Sequence, residues 1–360
     1  MLDHSFRKRF LKHRSAMVAF LFIVFISLLA LFAYPLSPDD APDANTLQVE
    51  IAAREPGFTL PFVRVYKPQQ APLVNWLQYL LNGREKNYVW LPIQGEPKIQ
   101  GDSVVVQRWL DDALSERMVL ARHQLSETNQ AQVPVYQRTF WLGTDRFGRD
   151  MLSRLILGTR ISLAVGWIAV ILSLSIGLLL GALAGYLGGL TDAVITWIIQ
   201  VLWAIPTLLL VFAITFVLGK GFWQIFIAIG LTMWVGTARL IRGQVLSLRE
   251  MDYIRAAGIM GYSLPRIIFK HLAPNLLGPT LVLAAGNFAT AILIEAGLSF
   301  LGIGVQPPTA SWGLMIKENY NFIITNRPFL ALIPGVAIML GVFAFNVLGN
   351  ALRDALDVKQ

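Results

Sequence analysis

A chain of 360 residues in which 55% are hydrophobic and only 14% charged has too little charge to clothe a water-soluble globule, so an ordinary soluble enzyme is excluded. With no cysteine, disulfide frameworks, thiolate metal sites, iron–sulfur clusters and cysteine nucleophiles are excluded together. The net charge of +8 is divided among segments that flank apolar runs, which fits an edge against lipid headgroups and not a nucleic-acid partner.

In chain order, residues 1–15 form a basic tail with Arg7, Lys8, Arg9, Lys12 and Arg14, followed by a first span at 16–34. The apolar run is longer than a signal-peptide core and no Ala-x-Ala site follows it, so an uncleaved anchor is expected. Residues 35–156 are polar and rich in proline. Alternation at Phe62-Val63-Arg64-Val65-Tyr66 and Ser103-Val104-Val105-Val106-Gln107 predicts short strands, and 111–128 reads as a polar helix. Trp76, Tyr79, Tyr88, Trp90 and Trp109 supply aromatic surface of a kind disordered tethers lack, so a small α+β insert is expected.

Residues 157–350 hold five further spans, near 161–187, 193–218, 222–240, 275–300 and 330–350, and a short tail occupies 351–360. The tail 1–15, the loop 239–271, the end 351–360 and Asp192 together carry a charge of +7, against +1 for all the rest, so both termini are expected in the cytoplasm and the insert outside it. In the second span Gly177, Gly181 and Gly185 recur every four residues, a stripe that lets helices pack closely. Pro206 should bend the third span. Pro206, Asn287, Glu295 and Ser299 are the candidates for a pathway or gate.

The spans offer no serine–lysine, paired-aspartate or HExxH arrangement, His4, His13, His123 and His271 form no ligand pair, and no GxxxxGK[ST] phosphate loop occurs. Catalysis and a metal site are therefore not expected of this chain, and transport driven by a nucleotide would need its ATPase on another polypeptide. Glu295 is the main ionisable group in the predicted spans, and a proton- or ion-coupled transporter or channel would rely on it. A sensor role for the insert is a third possibility, although no output domain accompanies it.

The loop between the fourth and fifth spans carries the most information. A helix through about 250–260, including Asp252, Tyr253, Arg255, Ala256 and Ala257, should end at Gly261, with Ser263 as a cap and Pro265 in the first turn of a second helix that Pro274 should close. Ala256 and Ala257 leave one flank without bulk, suited to a groove on a partner.

The run Arg255-Ala256-Ala257, three residues, Gly261 and then Pro274 resembles the E-A-A-x-x-x-G loop of ABC importer permeases. Three further stretches are similar to oligopeptide and dipeptide permeases: 142–163, with Gly143-Thr144-Asp145-Arg146-Phe147-Gly148-Arg149-Asp150; 295–313, with Glu295-Ala296-Gly297-Leu298-Ser299-Phe300-Leu301-Gly302; and 346–357. Arg255 stands where the motif has glutamate, and Ala273 where it usually has leucine. The resemblance implies an all-α polytopic membrane protein with the six-helix type I ABC importer permease fold, carrying the extracytoplasmic α+β insert. It also implies a bacterial inner-membrane (C-type) subunit that works with a second (B-type) permease, two ABC ATPase subunits holding ATP and Mg, and an extracytoplasmic peptide-binding protein. Peptides are the expected cargo, with opines, nickel chelates and peptide antibiotics as alternatives within the family. No cofactor is expected on this chain.

Overall fold

The computed structural model describes residues 13–125, 133–219 and 221–356. The basic residues Arg7, Lys8, Arg9 and Lys12, with His4 and Asp357, fall outside the described residues. Five helical runs are long and apolar enough to cross a bilayer. They are α1 (Arg14–Leu31), α3 (Met151–Leu187), α6 (Phe222–Arg249), a run from Leu264 that leads into α8 (Ala273–Leu301), and α10 (Phe329–Leu356).

The expected third span at 193–218 is instead two helices, α4 (Gly189–Trp203) and α5 (Thr207–Leu218), bent by 96°. Pro206 does more than kink: it adopts φ −54, ψ 128 and stands just before α5. Its missing N–H and the clash it imposes on Ile205 end one helix and start the next. Six spans are counted only if this broken pair is one of them.

α3 begins ten residues before the apolar run. Asp150 caps it by accepting from the Ser153 backbone N–H at 2.8 Å, and Arg154 and Arg160 inside its first turns are engaged by protein groups. At about 1.5 Å per residue its 37 residues reach roughly 55 Å, more than hydrocarbon needs, so one end stands clear of the bilayer. Pro274 likewise does not close a helix. Wide π-type turns over Ile267–Leu272 lead directly into α8, where Pro274 lies in the first turn and its missing donor is harmless.

The glycine stripe of α3 packs on α6. A Cβ at Gly177, Gly181 or Gly185 would come within 2.5 Å of Thr237, 2.5 Å of the Ala238 carbonyl and 2.8 Å of the Arg242 carbonyl, so the backbones approach as only glycine permits. Elsewhere Phe288 of α8 stacks on Phe345 of α10 at 3.8 Å, in a cluster that also takes Ala19, Ile23 and Ile26 of α1.

Between α1 and α3 lie two three-stranded antiparallel sheets. One has the order β2 (Tyr88–Pro92), β1 (Phe58–Tyr66), β6 (Tyr136–Phe140); the other β3 (Lys98–Gln100), β4 (Ser103–Asp111), β5 (Leu114–Ala121). Of the expected polar helix at 111–128, Leu114–Ala121 is a strand and only Arg122–Leu125 is helical, while 126–128 fall outside the described residues. Met118 and Leu120, two apart, pair with Val106 and Val104 and join a core with Val63, Ile93 and Leu125, so a period of two prevails. Arg64 lies over the rings of Tyr136 at 4.2 Å and Tyr88 at 4.5 Å, and Arg138 over Trp90 at 4.9 Å. A short helix, α2 (Trp76–Asn82), rests beside the end of α1.

Candidate functional site

At the far end of α3 from the insert, the chain leaves α6 and makes α7 (Asp252–Ile259). A Schellman motif ends it: the N–H of Tyr262 donates to the Ala257 carbonyl at 3.2 Å and that of Gly261 to the Gly258 carbonyl at 3.0 Å. Gly261 has φ +73 with no atom within 4 Å of a would-be Cβ, so backbone conformation alone demands glycine there. Ser263 stands before the next turn but its hydroxyl makes no capping bond, contrary to the sequence expectation. Tyr262 stacks on His271 and is covered by the Arg266 guanidinium at 4.1 Å, which fixes the corner after the glycine.

The two alanines face opposite ways. Ala256 is exposed, whereas Ala257 is buried with Ile254 against Ala182 of α3, Ile241 and Val245 of α6, and Ile267, Leu272 and Leu276. The supposed smooth flank is therefore half a seat inside this chain. Large apolar side chains project outward from this end beside the exposed Asp252 and Arg255: Ile259 is 88% exposed, Phe269, in the turns after α7, 71%, and Met251, Tyr253 and Met260 are also exposed. Arg255 is paired with Glu250 five residues earlier, and its guanidinium holds that carboxyl below the usual range. Where the motif has glutamate, this chain thus carries an arginine engaged in an exposed ion pair within the loop. Tyr253 accepts from Asn275 at 3.2 Å, tying α7 to the start of α8, while Asp252 sits in the first turn of α7, where a negative charge suits the helix dipole.

The pathway candidates separate into two places. Ile205 and Thr207, which flank Pro206, line a cavity of about 180 Å³ with Leu210, Met233, Asn287 and Thr290. Asn287 reaches Thr237 at 3.1 Å and Ser173 at 3.3 Å, linking α8 to α6 and α3 beside this cavity. Glu295 and Ser299 lie elsewhere, fully enclosed. The Ser299 hydroxyl donates to Glu295 at 2.7 Å and accepts from the Val305 N–H at 3.1 Å, so the pair pins the loop that follows α8.

Sequence reasoning missed a buried ion network at the insert end. Arg149 donates to Asp145 at 2.6 Å and to Glu318 at 2.5 Å, and Arg154 lies 3.4 Å from Glu318 and 3.8 Å from Asp145. All four side chains are at most 5% exposed. Glu318 comes from α9 (Trp312–Asn319), so the network fastens the segment before α3 to the segment before α10. The Asp145/Arg149 spacing was visible in the sequence; the partner 169 residues away was not. Among the described residues no group of three or more His, Asp or Glu side chains is placed to hold a metal ion.

Comparison with known proteins adds three observations. Residues 177–359 match the family described as binding-protein-dependent transport system inner membrane component, and residues 4–50 match the N-terminal TM domain of oligopeptide transport permease C. The strands of the insert fall between the two matches. The chain is 41% identical over 243 residues to the oligopeptide transport system permease protein OppC of Bacillus subtilis, covering 67% of this chain and 79% of that one. It is 43% identical over 237 residues to the dipeptide transport system permease protein DppC of Alkalihalophilus pseudofirmus, covering 66% and 77%. A solved inward-facing structure of the MetNI methionine ABC transporter aligns with a TM-score of 0.44 at 20% identity, over 56% of this chain and 97% of that one.

Proposed function

Because this chain belongs to the family of binding-protein-dependent transport system inner membrane components, we propose that it is a multi-pass permease subunit of an ABC importer that carries peptides, with both ends in the cytoplasm and the insert on the opposite side. A second permease subunit, two ATPase subunits that bind ATP and Mg, and a peptide-binding protein on the insert side complete the machine. The insert 35–140 meets the binding protein or caps the entrance.

The observation that carries the coupling role is the two-sided character of α7. Its inner face, Ile254 and Ala257, is wedged among α3, α6 and the start of α8, while Ile259 and Phe269 project from the same end of the molecule without cover. A knob with an apolar face outward and a packed root inward suits insertion into a groove of an ATPase subunit. Closure of the ATPases on ATP then pushes α7, and because packed elements move as units the push passes through Ile254 and Ala257 into the spans. The cavity beside the α4–α5 bend and Asn287 lies on the moving part and is assigned to the pathway. The chain holds and moves; the hydrolysis belongs to its partners.

The test is peptide-stimulated ATP hydrolysis by the reconstituted complex. Ile259→Asp together with Phe269→Asp, both on exposed positions, should leave the permease inserted and folded but abolish copurification of the ATPases and stimulated hydrolysis. Normal assembly and hydrolysis by this variant would refute the docking assignment.

A further inference from the structure

Beyond its part in transport, the insert carries a surface that nothing above uses. α2 turns Trp76, Leu77 and Leu81 outward, Leu77 and Leu81 lying four apart on one face, and Leu73 in the extended segment before it is exposed too; Trp76 is 67% exposed and Leu77 58%. Only Leu80 and part of Tyr79 face the protein. This orientation is built, not incidental. Asn75 and Gln78 form a capping box at one end, and Tyr79 reaches Asp40. At the other end Gly83, at φ +73, lies so close to Tyr34 that a Cβ would fall 2.6 Å from its ring.

Depth is set by Arg160. Its guanidinium donates to the Leu80 carbonyl at 3.2 Å and the Leu81 carbonyl at 2.9 Å, the last turn of α2, and lies over the Tyr34 ring at 5.3 Å. Arg160 is the last charged residue of α3 before the apolar run, and no other follows until Asp192. A guanidinium in that position belongs at the headgroup level, where it can be hydrated and neutralised. α2, held by it, lies at the same level. Leu31, Phe32 and Leu36, at and just past the end of α1, are exposed as well, and the turn Ala33–Leu36 packs on α2.

We propose that α2 is an interfacial anchor: it lies on the leaflet of the bilayer at the insert end, with Trp76, Leu77 and Leu81 buried among headgroups and upper acyl chains. Trp is suited to that layer because its ring is apolar while its N–H remains hydrated. The anchor fixes the height of the two small sheets above the membrane and thereby their distance from whatever docks there.

A chain without cysteine permits a direct measurement. Single cysteines at Leu77 and Leu81, labelled with an environment-sensitive fluorophore, are placed in proteoliposomes containing phosphatidylcholine brominated near the carbonyl. Leu28→Cys on the lipid face of α1 serves as the reference in the bilayer, and Ala113→Cys at the exposed β4–β5 turn as the reference in water. Labels at 77 and 81 should be quenched at least half as strongly as at 28, both in the lone chain and in the assembled complex, while the label at 113 is not. If 77 and 81 behave like 113, the anchor does not exist. If quenching is present in the lone chain and vanishes on assembly, the stripe is a subunit contact and the lipid assignment fails. Because quenching needs no transport, either outcome is independent of the proposed cargo.

Discussion

Ala256 and Ala257 are neighbours in sequence with opposite fates. Replacing Ala257 by Glu forces a carboxylate among Ile241, Val245 and Leu272, a burial that costs on the order of several kcal/mol without a partner. Ala257→Glu should lower the melting temperature of the purified permease before any coupling defect can be measured. Ala256→Glu, on the exposed face, should leave melting unchanged and weaken association with the ATPases; equal melting of the two variants would contradict the assigned burial. Glu295 gives a second test at this scale. Gln preserves its acceptance of the Ser299 bond, so Glu295→Gln should transport at a rate close to that of the parent, whereas loss of uptake with assembly intact would favour the proton-coupled alternative. Arg255 shows what a motif leaves undecided: the spacing located the residue, but its pairing with Glu250 depends on where the end of α6 points, which no local pattern encodes.

Among elements, legibility followed period and length. Runs of apolar residues placed α1, α3, α6, α8 and α10, and the loop with its terminal glycine placed α7, because these signals are local. What was not local was misread. α3 extends through Arg154 because partners far away in sequence neutralise it, and Leu114–Ala121 becomes a strand because β4 offers Val104 and Val106 as partners for Leu120 and Met118. The ion network makes the same point energetically. Removing one member of a buried pair leaves an uncompensated charge and costs about 3–5 kcal/mol. Arg149→Met or Glu318→Gln should therefore each destabilise strongly, and the double variant should lose less than the sum of the two when thermal unfolding is followed in detergent. Additive losses would mean that the two side chains do not interact.

For the whole molecule the decisive quantity is which end faces which compartment. α3 runs from the insert, where Arg160 and the Asp145–Glu318 network sit, to the seat of α7 beside Ala182, and so the sheets and α7 stand at opposite ends of one long helix. The orientation proposed above rests on the basic excess of the loop 239–271, since short basic segments tend to be retained in the cytoplasm. Two exposed positions read this arrangement without disturbing it: Gln100 on β3 and Ile259 at the end of α7. A cysteine at 100 should react with an impermeant maleimide in intact spheroplasts, and one at 259 only after the membrane is opened. In opened membranes the cysteine at 259 should react freely when the permease is expressed alone and be protected when the ATPases are coexpressed, because the same apolar knob is then covered. Reaction at 259 in sealed cells would invert the orientation, and equal reaction at 259 with and without ATPases would leave the orientation standing while removing α7 as the contact.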